Sequence, residues 1–301
     1  MELWIPITLF AALSQTVRTA MQKHLKGRLG TTGATFVRFG YGFPFAILYV
    51  AFLHWGIGDP FPTSNVTMWV AGAFGGIAQI IATFLLVHLF SYRNFAVGTA
   101  YSKTEPIQAA LFGLVFLGEH VTSGVAVAIV VGVTGVVLIS IARTKLTLES
   151  IGASLLSRPA LIGLASAAFF GASAAAYRLA SLSLDGTSVP MQAGYTLACV
   201  TVFQTLVMAG WMIWREPDQL SASIRNWRVA SWVGLSGVAG SAGWFTAMTL
   251  EPVAHVRGLA QVELIFTFAV SWFVFHERLS RIELVGCCLV VFAVLGIILQ
   301  A

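Results

Sequence analysis

Apolar residues run along this chain in long blocks, interrupted at intervals by Gly, Pro and charge. Within a block they do not alternate with polar residues, as they would in strands with one wet face or in a membrane barrel. The blocks are about 20 residues long, the length a helix needs to cross the hydrocarbon core of a bilayer. Ten helices are predicted, at about 3–22, 33–54, 66–89, 95–117, 121–142, 159–183, 188–213, 228–250, 254–275 and 280–300. Helices suit this setting because they satisfy their own backbone hydrogen bonds, which lipid cannot do.

The longest connections between these helices are 55–65, 143–158 and 214–227. The second, from Arg143 to Arg158, is the most polar stretch and lies at the middle of the chain. It divides the sequence into two sets of five helices, with expected limits 1–145 and 158–301 and a linker at 146–157. The expected fold class is therefore an all-α polytopic membrane protein.

Composition excludes the alternatives. The chain has 301 residues, of which 57% are hydrophobic and 10% charged, against about 25% charged in soluble domains. Mean hydropathy is +0.85. A soluble enzyme, a nucleic-acid binder and a large head on one anchor are all excluded. The formal charge of +5 reflects Lys and Arg held in cytoplasmic loops, not a nucleic-acid partner. Cys199, Cys287 and Cys288 lie in apolar stretches without metal-ligand spacing and read as small fillers. The N-terminus, Met1-Glu2-Leu3-Trp4, lacks the basic region of a signal peptide, so the first apolar segment is expected to remain as a span.

Positions of the basic residues add orientation. Lys23, Lys26, Arg28, Arg93, Arg143, Lys145, Arg158, Arg215, Arg225, Arg228, Arg278 and Arg281 all fall in odd-numbered connections or, for Arg228 and Arg281, within two residues of one. The even-numbered connections and both termini hold none. By the positive-inside rule the odd connections are cytoplasmic and both termini lie outside. Five is an odd number, so the two halves insert with opposite orientation. The charge bias inverts accordingly: the first half is basic after its first helix, the second half after its second.

A weak internal repeat accompanies this inversion. At an offset of 158, Glu105 and Glu119 lie over Glu263 and Glu277, and at 160, Arg18 lies over Arg178. Duplicated charges inside spans, in halves of opposite orientation, are the pattern of transporters built from inverted repeats, whose substrate site lies near the midplane.

These residues carry a resemblance along nearly the whole chain to the drug/metabolite transporter superfamily, EamA type. Leu117-Gly118-Glu119 matches the Gly-Glu pair that follows the fourth helix in that family, and Pro106 matches its fourth-helix proline. His276-Glu277 departs from the second Gly-Glu pair, and the ninth helix has no equivalent proline. The resemblance implies ten helices in two inverted five-helix repeats around a central cavity, with amino acids or small metabolites as substrates. It also implies cytoplasmic termini in many members, where the charge count here places them outside.

Charged groups inside spans are costly and usually face a cavity or a partner. Arg18, Arg38, Lys103, Glu105, Arg178, Arg257 and Glu263 qualify. For the four arginines, snorkelling to the interface is an equal alternative. On the fourth helix, Tyr101, Glu105, Gln108 and Phe112 share a face; on the ninth, Arg257, Gln261 and Leu264 do, with Glu263 off it. Polar stripes recur at Gln15, Arg18, Thr19 and Gln22, at Gln79, Thr83 and His88, and at Gln192, Tyr195 and Gln204. Either a wet cavity or interhelical hydrogen bonds accounts for them. The cavity candidates are Tyr101, Lys103, Glu105, Gln108, Gln261, Glu263, Gln79, Tyr177, Tyr195 and Trp244.

Lys103, Arg18 and Arg178 are candidates for pairing with Glu105 and Glu263. Those two carboxylates have two roles open to them: neutralising buried cations, or exchanging a proton during transport. Trp211, Trp214, Trp227 and Trp232 read as interface anchors, and Gly234, Gly237, Gly240 and Gly243 as a packing stripe. No phosphate loop, HExxH motif or Cys cluster appears, so no cofactor or metal and no enzymatic activity are expected. The expected function is secondary export of amino acids or related metabolites across the inner (cytoplasmic) membrane, with lipid and a small solute as partners and no nucleic acid. Import of a cationic or nucleotide-like metabolite and a non-transporting scaffold are the alternatives. Proton coupling and a monomeric or homodimeric state are left open.

Overall fold

The computed structural model describes residues 2–92, 101–144, 157–263, 266 and 281–300, and no strand occurs among them. Helix α1 spans Trp4–Gly40 and α2 Phe43–Ala51, continued by a π-helical turn at Phe52–Ile57. The other main helices are α3 (Val66–Leu89), α4 (Glu105–Leu117), α5 (Ser123–Thr144), α6 (Arg158–Leu182), α7 (Val189–Arg215), α8 (Trp227–Leu250), the short α9 (Val253–Leu259) and α10 (Arg281–Ile298). Asn65, Ser157 and Ser188 start α3, α6 and α7 by accepting a bond from the backbone N–H three residues on. The expected linker 146–157 lies almost wholly outside the described residues.

Most of the first expected connection is helical, and the break between the first two helices narrows to a single residue within it. The run from Trp4 to Gly40 bends at Gly30, whose φ of 70° and ψ of −175° are open essentially to glycine alone. A Cβ there would lie 2.4 Å from Gln219 Oε1, and the same oxygen accepts a bond from the Gly33 N–H at 3.0 Å. Gln219 belongs to a short helix, Pro217–Arg225, inside the segment expected to be a plain connection. The kink is thus locked from a residue far away in sequence.

Two interruptions matter most. The fourth helix is broken by a turn at Lys103-Thr104 before α4 begins at Glu105. Pro106 then takes the second helical position, where its missing N–H leaves no bond unmade. In the second half, α9 ends at Leu259 and tightens into a 3₁₀ turn at Ala260–Val262. At the repeat offset of 158, Lys103-Thr104 falls on Gln261-Val262. The two breaks therefore occupy equivalent places.

Packing follows the same two-fold relation. Helix α1 lies along α8 and α3 along α6, while α5 pairs with α10, α2 with α7 and α4 with α9. Exchanging the halves turns the first pair into the second and each remaining pair into itself. The fold is the expected one: two inverted repeats around a cavity. Close approach at α8 depends on glycine, since a Cβ on Gly234 would sit 2.3 Å from the Tyr41 carbonyl carbon.

The outward surface is apolar, with Leu48, Phe52, Val70, Val115, Leu206 and Phe292 each more than half exposed. Such a belt needs lipid against it. Among the described residues, Trp4–Ile57, Val66–Leu89, Arg158–Leu182 and Val189–Arg215 are long and apolar enough to cross a membrane, and Glu105–Leu117, Ser123–Leu138 and Leu284–Ile298 are shorter apolar helices. The four tryptophans read as anchors are exposed, with the Arg215 guanidinium 3.9 Å from the Trp214 ring centroid.

Candidate functional site

The two helix breaks face a cavity of about 460 Å³ lined from both halves. Helix α1 contributes Gln15, Arg18 and Thr19, its far end Arg38, and α3 Gln79. The α4 break contributes Ser102, Lys103 and Glu105, α6 Phe170 and Tyr177, and α8 Ser241, Trp244 and Phe245. Arg257, Gln261 and Glu263 come from α9 and its 3₁₀ turn. The lining reaches Lys23, Leu86 and Phe90, near the first and third connections.

Ion pairs cross from one half to the other. Lys103 Nζ is paired with Glu263 Oε1, and Arg257 lies 3.0 Å from Glu105 Oε1. Gln15 extends the first pair, donating its amide to Glu263 Oε2 at 3.1 Å and accepting the Trp244 indole N–H at 3.1 Å. The Arg257 guanidinium lies 4.8 Å from the Trp244 ring centroid. Glu263, placed off the α9 face by an even helical count, lines the cavity with Arg257 and Gln261. A face drawn at 100° per residue does not carry across a 3₁₀ turn.

Behind this layer stands a neutral network. Tyr177 donates to Gln79 Oε1 at 3.2 Å, and the Gln204 amide reaches Gln79 Oε1 at 3.0 Å and the Gly76 carbonyl at 3.1 Å. Tyr177 also stacks on Phe245, centroids 4.4 Å apart. These contacts fix one wall, because every buried polar atom in them has a partner.

Arg18 and Arg38 are treated differently. Each is only 5% exposed, so neither snorkels. Among the described residues neither has a carboxylate within ion-pair distance. Arg38 donates to Thr83 Oγ1 at 2.9 Å, and Arg18 makes a long contact of 3.4 Å with Thr19 Oγ1 while its Nε has no partner. Both stems pass Gly237: a Cβ there would lie 3.5 Å from Arg18 Cδ and 3.5 Å from Arg38 Cγ.

Other candidates sit elsewhere. The Gln108 amide bonds Thr104 on its own helix at 2.9 Å, Tyr101 packs on Ala160, and Tyr195 lies edge-on to Phe61 at 6.4 Å. None of the three lines the cavity. Arg178 pairs with Glu119, at 2.5 Å, and not with Glu105 or Glu263. It also donates to the carbonyls of Met248 and Glu251, the latter at 2.7 Å, while Glu119 Oε2 accepts the Val253 N–H at 3.1 Å. The result is a clip joining α6, the α4–α5 corner and the α8–α9 corner. Leu264, Trp272 and Glu277 lie outside the described residues.

Arg38 is one of several lining residues, with Gln15, Phe245 and Arg257, that sequence reasoning left off its cavity candidates. Its depth inside a span was the signal, and snorkelling was the competing reading. Among the described residues no group of three metal-ligating side chains comes together.

Comparison with known proteins adds a family and a fold. The chain matches the model of the EamA-like transporter family twice, over residues 2–141 and 157–299. A crystal structure described only as that of a protein superposes with a TM-score of 0.70 over 99% of this chain and 95% of the other, at 18% identity. A search of curated proteins finds no match.

Proposed function

Since this chain belongs to the EamA-like transporter family, and so to the multi-pass membrane transporters of small molecules, we propose that it exports amino acids or related small metabolites across the cytoplasmic membrane by alternating access. The observation that carries this reading is the pair of helix breaks at Lys103-Thr104 and Ala260–Val262, at equivalent places and facing one charged cavity. Interrupted helices at a repeat interface supply polar groups and pivots where a solute can bind and the halves can rock. The odd connections carry the Lys and Arg, so the cavity lining at Lys23 and Phe90 lies toward the cytoplasm under the positive-inside rule. The Arg178–Glu119 clip then braces the opposite end. Ten spans and outside termini belong to this same reading.

Glu105 and Glu263 hold cross-half ion pairs and are the groups available for proton coupling. Loss of either negative charge alters the balance between the two halves at the breaks. The test is counterflow and efflux of labelled amino acids in proteoliposomes under an imposed pH gradient. Wild-type protein is expected to respond to the gradient, and Glu105→Gln and Glu263→Gln to lose that response. A full response retained in both variants removes the carboxylates from coupling, and absence of any solute movement with a broad solute panel refutes transport.

A further inference from the structure

Among the described residues, the positive and negative charges lining the cavity do not balance. Its lining carries Arg18, Lys23, Arg38, Lys103 and Arg257 against Glu105 and Glu263. Lys103 and Arg257 are matched by the two carboxylates. Arg18 and Arg38, each 5% exposed, have no carboxylate within ion-pair distance among the described residues. Leaving a cation out of water without a counter-ion costs several kcal/mol.

The two stems flank Gly237, with Arg18 Cδ and Arg38 Cγ each 3.5 Å from where its Cβ would lie. Both arginines line the cavity, and the planar fork of each guanidinium matches the paired oxygens of a carboxylate or phosphate. Gln261, 5% exposed, adds an amide with neither its donor nor its acceptor satisfied. Phe170, Tyr177, Trp244 and Phe245 supply an apolar wall beside these groups.

We propose that the solute of this cavity is a small organic anion, carrying one or two carboxylate or phosphate groups and net negative charge, with one anionic group held between Arg18 and Arg38 and its apolar body on the aromatic wall. This rests on the transport reading and narrows it. Within the amino acids it selects those with acidic side chains, and it excludes cationic metabolites, which meet an uncompensated positive lining. Anion entry neutralises the two arginines, so the liganded protein is the electrostatically complete one.

The test uses the full chain purified in detergent, at fixed ionic strength, with thermal unfolding as the readout, because a ligand that binds the folded form raises its apparent stability. The probes are succinate, glutamate and phenyl phosphate, with leucine and putrescine as neutral and cationic comparisons. The anions are expected to raise the midpoint with dose and the other two not. Arg18→Gln and Arg38→Gln are expected to weaken anion binding at least about tenfold, the size of one lost charge-assisted contact, and Arg18→Lys to recover part of it. Should either glutamine variant fail to fold, the wild-type ranking of probes still decides. Equal or greater stabilisation by leucine or putrescine, no shift with any anion, or anion shifts surviving both glutamine variants would overturn the proposal. Anions that bind yet do not exchange in proteoliposomes leave the site standing and sink the transport reading. Leucine exchange without anion binding or competition does the reverse.

Discussion

Arg18 and Arg178 occupy matching places in the two halves, yet their surroundings differ completely. Arg178 is enclosed by Glu119 and two backbone carbonyls at the α8–α9 corner. Arg18 lies in the cavity with a threonine at 3.4 Å and an unpartnered Nε. A duplicated sequence feature thus serves two ends: one copy fastens helices together, the other faces a space from which charge is missing. Satisfied polar groups rigidify a structure, whereas unsatisfied ones mark where something else binds.

The sharpest way to break this contrast is to remove each cation in turn. Arg178→Gln leaves Glu119 buried without its partner, and breaking a buried pair in this manner costs about 3–5 kcal/mol. The expected result is a large fall in the unfolding midpoint of ligand-free protein in detergent, with Glu119→Gln similar and the double variant milder than the sum. Arg18→Gln is expected to leave that midpoint unchanged or raise it, because it deletes a buried charge that, among the described residues, has no carboxylate within ion-pair distance. Should Arg18→Gln destabilise the empty protein as much as Arg178→Gln does, the distinction between clip and cavity falls.

Much of this arrangement is legible in the sequence, because hydrophobic length and charge placement act locally. Apolar runs bounded by Asn65, Ser157 and Ser188 give α3, α6 and α7 nearly to the residue. The buried acids and their repeat mark the breaks in the fourth and ninth helices. What escapes depends on partners distant in the chain. The bend at Gly30 is held by Gln219, and the continuation of the first helix from Trp4 up to that bend hides beneath a basic segment that reads as a loop. The choice of Glu119 over Glu105 as the partner of Arg178 follows from how α4 and α8 end, which no periodicity encodes. Ala260-Gln261-Val262 has no Gly or Pro to announce its tight turn, unlike Pro106 in the equivalent helix.

The glycine stripe on α8 extends the comparison from charges to packing. Gly234 meets the Tyr41 backbone, where a Cβ would approach to 2.3 Å. Backbone cannot yield as a side chain end does, so Gly234→Ala is expected to destabilise by about 1–3 kcal/mol, typical of overpacking. The unfolding midpoint in detergent measures it. A neutral Gly234→Ala would mean that α8 and the start of α2 are not held this closely.

One turn further along, Gly237 faces the two arginine stems, and an added Cβ finds them at 3.5 Å on both sides and the Arg38 carbonyl oxygen at 3.7 Å, all ordinary contacts. Alanine also gains up to about 1 kcal/mol over glycine in a helix interior. Gly237→Ala is therefore expected to be neutral or slightly stabilising in the empty protein, opposite in sign to Gly234→Ala. Because the methyl group touches Arg18 Cδ and Arg38 Cγ without displacing either guanidinium, anion affinity is expected to change by less than about fivefold, or about 1 kcal/mol. Titration of succinate by thermal shift measures that change beside the tenfold or larger loss expected for Arg18→Gln. If the alanine variant loses anion binding as completely as Arg18→Gln does, the stems must move together for the ligand to enter. The space over Gly237 would then be part of the binding motion and not merely a gap between two fixed side chains.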